Sequence, residues 1–272
     1  MEIKLYYYFE GSNFGDAVNP YILENIFGHK CVFADHENAE LFMIGSILGK
    51  ALTRKSKVFK RLRQSCREPL TVWSSGFIRN DVSNLCAPRQ LNVCALRGSL
   101  SLHLLEKVTG KKFAPVLGDG GLLISRLFES LPEKKYQVGI IPHFIDEKLP
   151  EVAEMQKKIP GSVVISPIGN PVDCARKIAE CETVISSSLH GLIAADSFGI
   201  PNRRIVISNN IVGGEFKYND YYSAFYAHPT PLLCQDIIKH GINADLIRAD
   251  YKINFDRVLE IQEKLTDCFS FK

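Results

Sequence analysis

The run Val184-Ile185-Ser186-Ser187-Ser188-Leu189-His190-Gly191-Leu192-Ile193-Ala194-Ala195-Asp196 puts three serines and a histidine where a β-branched stretch gives way to a small-residue, helix-length one. At such a junction a serine hydroxyl serves as helix cap and as ligand donor, and His190 falls beside first-turn amides that lack an intrahelical partner. The positive helix end disfavours imidazolium in an empty site, whereas a bound dianion favours it. That is chemistry suited to a phosphate and a proton. Two other strand-to-helix loops carry suitable residues. Gly11-Ser12-Asn13-Phe14-Gly15-Asp16 combines turn residues with a helix end that attracts anions. Gly118-Asp119-Gly120-Gly121 permits close backbone approach and sets Asp119 at the mouth of a cleft. A capped turn accounts for either loop taken alone. Neither holds the G-x-G-x-x-G of a dinucleotide site or the G-K-[ST] of a P-loop.

The elements that must position these loops alternate between short apolar runs and amphipathic, helix-length stretches, the pattern of a parallel α/β architecture. Strands are expected at 3–9, 41–44, 70–73, 91–96 and 115–117, with helices opening at Asn19-Pro20 and running through Gly28, and over 99–109 closed by Gly110. The polar stretch 129–136 interrupts this rhythm and divides the chain into residues 1–132 and 133–272. A second series follows: strands at 138–141, 162–165, 183–186 and 204–207, and helices at 147–158, 171–181, 189–198 and 255–268. The expected fold is two Rossmann-like domains facing across a cleft, with ligands at the carboxyl ends of the strands. The terminal helix is free to pack back on the first domain.

Composition narrows the function. Among 272 residues, 33 basic and 30 acidic side chains give a net charge of +3, too balanced for a dedicated nucleic-acid binder. The exception is the stretch from Lys50 to Arg67, with eight Lys or Arg and no acid. It reads as a solvated face or as a contact with an anionic membrane surface. Eight cysteines show no C-x-x-C pair and no zinc-ligand spacing, which points to free thiols, no metal site and a cytoplasmic location. The N-terminal residues lack the pattern of a signal peptide, and nowhere do 18 apolar residues run together.

The S-S-L-H-G-x-x-A-A-D-x-x-G-I-P run, together with N-F-G-D-x-x-N-P-Y near the start, resembles the polysaccharide pyruvyl transferase family. Leu96-Arg97-Gly98-Ser99 and the segment from Gly214 to Phe225 agree with it, so the matches run in order from residue 13 to residue 225. The resemblance implies a fold similar to GT-B glycosyltransferases. It also implies transfer of pyruvate from phosphoenolpyruvate, a substrate and not a cofactor, to a sugar diol as a cyclic ketal in exopolysaccharide, capsule or cell-wall polymer assembly. The acceptor would be a saccharide carried on a polyprenyl diphosphate.

Under that resemblance His190 handles phosphate and proton, Arg97 the donor anion, and Asp16 or Asp119 the acceptor hydroxyls as base. Asn13, Gly15, Ser187, Ser188, Leu189, Gly191 and Lys217 would complete the substrate site, without metal or cofactor. The chain departs from the family at two points. Ser188 stands where many members have Arg, and Pro142-His143 stands where many have Arg after the first strand of the second half. Arg203, Arg204 and Lys217 follow Arg97 as sources of the missing cation. A sugar-nucleotide glycosyltransferase and a non-catalytic anion-binding component are the competing readings; the second half lacks the paired Glu that many retaining GT-B enzymes use.

Overall fold

The computed structural model describes residues 1–8 and 13–271; the Phe9 end of the first expected strand and the Gly11-Ser12 start of the first loop lie outside the described residues. The fold is α/β with parallel sheets. One five-stranded sheet runs, edge to edge, Lys30–Phe33, Glu2–Tyr6, Leu41–Phe42, Leu70–Val72 and Leu91–Val93. The other runs Ser162–Val164, Tyr136–Ile141, Cys181–Ser186, Asn202–Val206 and Leu232–Leu233. Every pairing in both is parallel. Numbered in its own chain order, each sheet reads 2-1-3-4-5.

Most expected helices form close to their sequence limits, as Ser99–Thr109, Pro171–Ala179, Leu189–Ser197 and Phe255–Asp267. Three readings are corrected. The first helix opens six residues earlier than Asn19-Pro20: it spans Phe14–Asn25, and Asn13 caps it by accepting from the Gly15 and Asp16 amides. Pro20 sits inside it. A proline there strands the carbonyl four residues back, and that carbonyl, of Asp16, accepts instead from the Asn19 side-chain amide at 2.8 Å. The expected strand over 91–96 breaks at Cys94, beside Ser74, whose φ of 71° bends the neighbouring chain. The stretch 208–254, with no element expected, folds into helices Phe216–Ser223, Cys234–His240 and Ala244–Ala249.

One apolar cluster runs through both halves of the chain. It takes Ile3, Leu5 and Trp73 from the first sheet's side and Ile141, Val184 and Ile193 from the second's, with Val258 and Leu265 of the terminal helix. That helix lies against the first half: the Trp73 indole donates to the Leu265 carbonyl at 2.9 Å, and Phe269 stacks on Phe27 at 3.8 Å. Two backbone links join the start of the first helix to the other half. The Phe14 amide donates to the Pro167 carbonyl at 2.8 Å, and Asn13 forms an isolated bridge with Ile168.

Asn19 is fully buried and ties the helix to the strand end: besides the Asp16 carbonyl it donates to the Ile44 carbonyl and accepts from the Ile44 amide at 2.9 Å. Asn19→Ala leaves three buried backbone groups without partners, each costing about 1–3 kcal/mol when unsatisfied. The expected outcome is a loss of at least about 3 kcal/mol of stability, read by urea denaturation. A loss below about 1 kcal/mol would mean that water replaces the amide.

Candidate functional site

A 2-1-3-4-5 parallel sheet has one topological switch point, between its first and third strands, where the crevice outside the carboxyl ends takes ligands. Both switch points of this molecule open on one cleft of about 370 Å³. Tyr6 and Tyr8 reach it from the end of Glu2–Tyr6, and Ser46 and Ile47 from the loop after Leu41–Phe42. His143, Phe144 and Ile145 follow Tyr136–Ile141, and Ser188, Leu189 and His190 follow Cys181–Ser186. The four strands flanking the two switch points thus supply most of the wall.

Two helix N-termini converge there. The Phe14–Asn25 helix brings Asn13, Gly15 and Asp16; the Leu189–Ser197 helix brings His190 in its first turn. They meet so closely that a Cβ added at Gly15 would lie 1.9 Å from His190 Cγ and 2.3 Å from its Cβ. Only glycine fits. Asn13 caps the first helix and also donates to the Asp16 carboxylate. The second helix has Ser188 at its N-cap with no side-chain bond to the following amides, which leaves that positive end available to an anion.

The titrating groups are held away from their ordinary charge states. Burial first, then the nearby cations Lys217 and Arg97 and the second imidazole, push His190 down to about 3, and its Nε2 is buried without a hydrogen-bond partner among the described residues. His143 falls to about 4 through burial and Lys217. Burial lowers Lys217 to about 8, Arg97 adding to the shift and Asp16 opposing it. Asp16 rises to about 7, chiefly by burial. A carboxyl near 7 and an ammonium near 8 both exchange protons close to neutral pH.

Lys217 and Lys50 are cations on the cleft wall that no carboxylate neutralises at ion-pair distance among the described residues, and of the two Lys217 is the buried one. The Lys217 helix, Phe216–Ser223, is clamped from below. Asp220, one turn on and fully buried, accepts from Arg97 Nε at 2.9 Å, from Ser101 Oγ at 2.6 Å and from the Ser101 amide at 2.8 Å. Gly98 makes the clamp possible: a Cβ there would stand 1.7 Å from the Asp220 carbonyl oxygen. Tyr218 donates to the Ser187 carbonyl at 2.6 Å, and Tyr221 donates to Asp196 at 2.6 Å.

Of the residues read from sequence, Asn13, Asp16, Ser188, Leu189, His190 and Lys217 line the cleft, and Gly15 backs His190. Four others do not reach the wall. Arg97 is fully buried, its donors spent on Asp220, the Ser46 hydroxyl at 2.8 Å and the Phe77 carbonyl. Asp119 is sealed in the core, accepting from the Gly121 amide at 2.9 Å, with its carboxyl raised to about 6 by burial. Ser187 is turned inward, its hydroxyl accepting from the His143 amide at 2.8 Å. Gly191 packs on the sheet, where a Cβ would meet Ser186 Oγ at 2.5 Å. Of the other cation candidates, Arg204 pairs with Glu215 and Arg203 with Asp250.

The wall also takes in His143, expected only as a departure from the family pattern, together with Ser46, the two tyrosines and Lys50, the last expected only in the basic surface stretch. A signal for His143 existed: it is the second residue after the first strand of the second series, the strand that flanks a switch point. Among the described residues no group of three His, Cys, Asp or Glu is disposed to hold a metal ion, and no helix is long and apolar enough to cross a membrane.

Comparison with known proteins gives concordant results. A family model described as polysaccharide pyruvyl transferase matches residues 13–209. The uncharacterized protein L143 of Acanthamoeba polyphaga mimivirus is 25% identical over 244 residues, which is 82% of this chain and 75% of that protein. The succinoglycan biosynthesis protein ExoV of Rhizobium meliloti is 28% identical over 225 residues, 79% of this chain and 63% of that protein.

Removing Arg97 exposes how the clamp works. Arg97→Ala leaves the Asp220 carboxylate buried and unpaired, for which about 3–5 kcal/mol of lost stability is expected. The double variant Arg97→Met with Asp220→Leu should recover part of that loss. Thermal unfolding of the single and double variants checks both. Native stability with weakened donor binding in Arg97→Ala would instead put the guanidinium on the substrate.

Proposed function

Because the chain belongs to the polysaccharide pyruvyl transferase family, we propose that it transfers pyruvate from phosphoenolpyruvate to two hydroxyls of a saccharide, as a cyclic ketal, during assembly of an exopolysaccharide, capsule or cell-wall polymer. The observation that carries this reading is the single cleft at two sheet switch points, where two helix N-termini meet beside an unneutralised lysine and an unpartnered imidazole nitrogen. Phosphoenolpyruvate crowds a carboxylate and a phosphate on three carbons, and such a set of dipoles and cations suits it.

In the reaction we propose, a proton adds to the methylene carbon of the donor and a sugar hydroxyl attacks the adjacent carbon. The bond from that carbon to the phosphate oxygen breaks, and the second hydroxyl closes the ring. One hydroxyl proton is retained in the methyl group and the other leaves with inorganic phosphate, so the sum balances without redox chemistry, metal or cofactor. Lys217 and the Ser188–His190 helix end hold the donor anion. Burial and the nearby cations keep His190 neutral; a dianion against Nε2 raises its proton affinity and makes it the proton carrier between carbon and phosphate. Asp16 is the base for the acceptor hydroxyls. Asp119 and Arg97 act behind the wall as positioning residues.

We read the paired parallel sheets as a GT-B-like arrangement divided into residues 1–132, carrying the acceptor, and 133–272, carrying the donor. A reducing, cytoplasmic setting fits eight unpaired thiols. Similarity to the succinoglycan biosynthesis protein ExoV supports exopolysaccharide synthesis as the setting, and the acceptor we propose is a lipid-linked saccharide.

Incubation with phosphoenolpyruvate and a panel of lipid-linked saccharides should release inorganic phosphate and add a pyruvyl ketal to one acceptor, read by mass spectrometry. Release of a nucleotide from a sugar nucleotide would instead identify a glycosyltransferase. His190→Ala should keep the fold and lose about 10²–10⁴-fold in turnover.

The pH dependence has a definite sign. Asp16 must be ionised to act as base, so kcat/KM for the donor rises through about 7. Lys217 must be charged to hold the anion, so it falls again through about 8. The result is a narrow bell. Lys217→Arg, whose guanidinium stays charged, should move the alkaline limb upward. An alkaline limb that stays in place would remove Lys217 from the donor site.

A further inference from the structure

The eight-residue helix Val58–Ser65 is built inside out. Amphipathic helices on a protein surface turn their apolar stripe to the core and their charges to water. Here the only buried residue is Gln64, while Phe59 is 90%, Leu62 60% and Val58 54% exposed. The charged side faces the protein. Lys60 pairs with Glu37 at 2.7 Å, Arg63 pairs with the same carboxylate, and Arg67 donates to the Asn38 side chain at 2.6 Å. At about 100° per residue, Lys60, Arg63 and Gln64 share one face, and Val58, Phe59 and Leu62 lie on the far side. Glu37 thus anchors the helix by its polar face and presents the apolar one to the outside.

Around that apolar edge stand Arg54, Lys55, Lys57 and Arg61, all exposed, none in an ion pair among the described residues. No acidic side chain lies between Lys50 and Arg67 to offset them. Apolar side chains ringed by unpaired cations complement one kind of surface, an acyl boundary beneath anionic headgroups. A protein partner or a second copy would need an acidic rim, which this segment cannot offer itself.

We propose that the Val58–Ser65 helix docks this protein on an anionic lipid bilayer, with Phe59, Leu62 and Val58 entering the headgroup–acyl boundary and Arg54, Lys55, Lys57 and Arg61 meeting the lipid phosphates. The helix does not span; it lies in the interface. Lys50 connects this surface to the cleft, lining both the cleft wall and the shallow hollow beside Lys60 and Gln64. Docking sets the cleft close to the bilayer, where a lipid-carried substrate would be found. The docking itself does not depend on the pyruvyl-transfer reading, because it is measured without turnover.

The test uses the full chain with vesicles of phosphatidylcholine alone or mixed with phosphatidylglycerol. The protein should float with the mixed vesicles only, and leave them at about 1 M salt, where the screening length is about 3 Å. Phe59→Ser with Leu62→Ser should lower the bound fraction about tenfold or more at unchanged thermal stability, since both side chains are exposed. Lys55→Gln, Lys57→Gln and Arg61→Gln together should abolish the preference for anionic lipid. Phe59→Trp adds a reporter, and its emission should shift to the blue on mixed vesicles. Equal binding to both vesicle types, no binding to either, or binding indifferent to the double serine variant would overturn the proposal. A blue shift that grows with protein concentration in the absence of vesicles would also overturn it, and would name a second copy as the occupant.

Discussion

The carboxylate of Asp220 has no access to water, and the rest of the site depends on how its charge is met. Arg97 and Ser101 meet it from the first half of the chain, across 123 and 119 residues of sequence. An isolated buried charge costs several kcal/mol even after relaxation, so neither partner is stable inside without the other. The pair therefore locks the Phe216–Ser223 helix to the turn at Gly98, and with it fixes where Lys217, one turn earlier, enters the cleft. The same helix reaches the second sheet through Tyr218 on the Ser187 carbonyl and Tyr221 on Asp196. Asp196 also accepts from Asn202 and Tyr251 at 2.6 and 2.7 Å, so the last polar residue of the serine–histidine segment is a structural hub.

In this framework the titrating groups of the cleft are held away from their ordinary charge states. His190, His143 and Lys217 are all held below their ordinary proton affinity, by burial and by mutual repulsion. Asp16 is held above its own. An anion entering between the two helix ends removes the repulsion and raises the affinity of each cationic group for its proton. Anion binding and proton uptake by these groups are in this way coupled.

The two helix ends approach to the limit set by Gly15, and side chains flanking a proline hold that approach in place. Asn13 satisfies the first amides, and Asn19 takes the Asp16 carbonyl that Pro20 leaves without a donor. Both asparagines, the glycine and the aspartate belong to one short stretch of sequence. Its residue types serve the backbone, except Asp16, whose carboxyl reaches the cleft.

Much of this was legible in the amino-acid sequence. Alternating apolar runs and capped amphipathic stretches determined the parallel α/β class, because period and capping are local properties. The positions of Ser188 and His190 at a helix start were readable for the same reason, whereas the helix that Asn13 caps was expected six residues later, at Asn19-Pro20. What could not be read was the far side of each contact. Arg97 has the type of an anion-binding residue, and only the fold shows Asp220 already occupying it. Asp119 looks like a base in a glycine loop, yet lies in the core, whereas His143, marked in sequence only by its place just after a strand, lies on the wall. The helix of Phe59 and Leu62 has an ordinary apolar stripe in sequence; that the stripe faces out follows from Glu37 pairing with Lys60 and Arg63 on the other side. Local sequence sets which groups a segment offers, and only tertiary pairing decides which of them are consumed inside and which are left for a ligand.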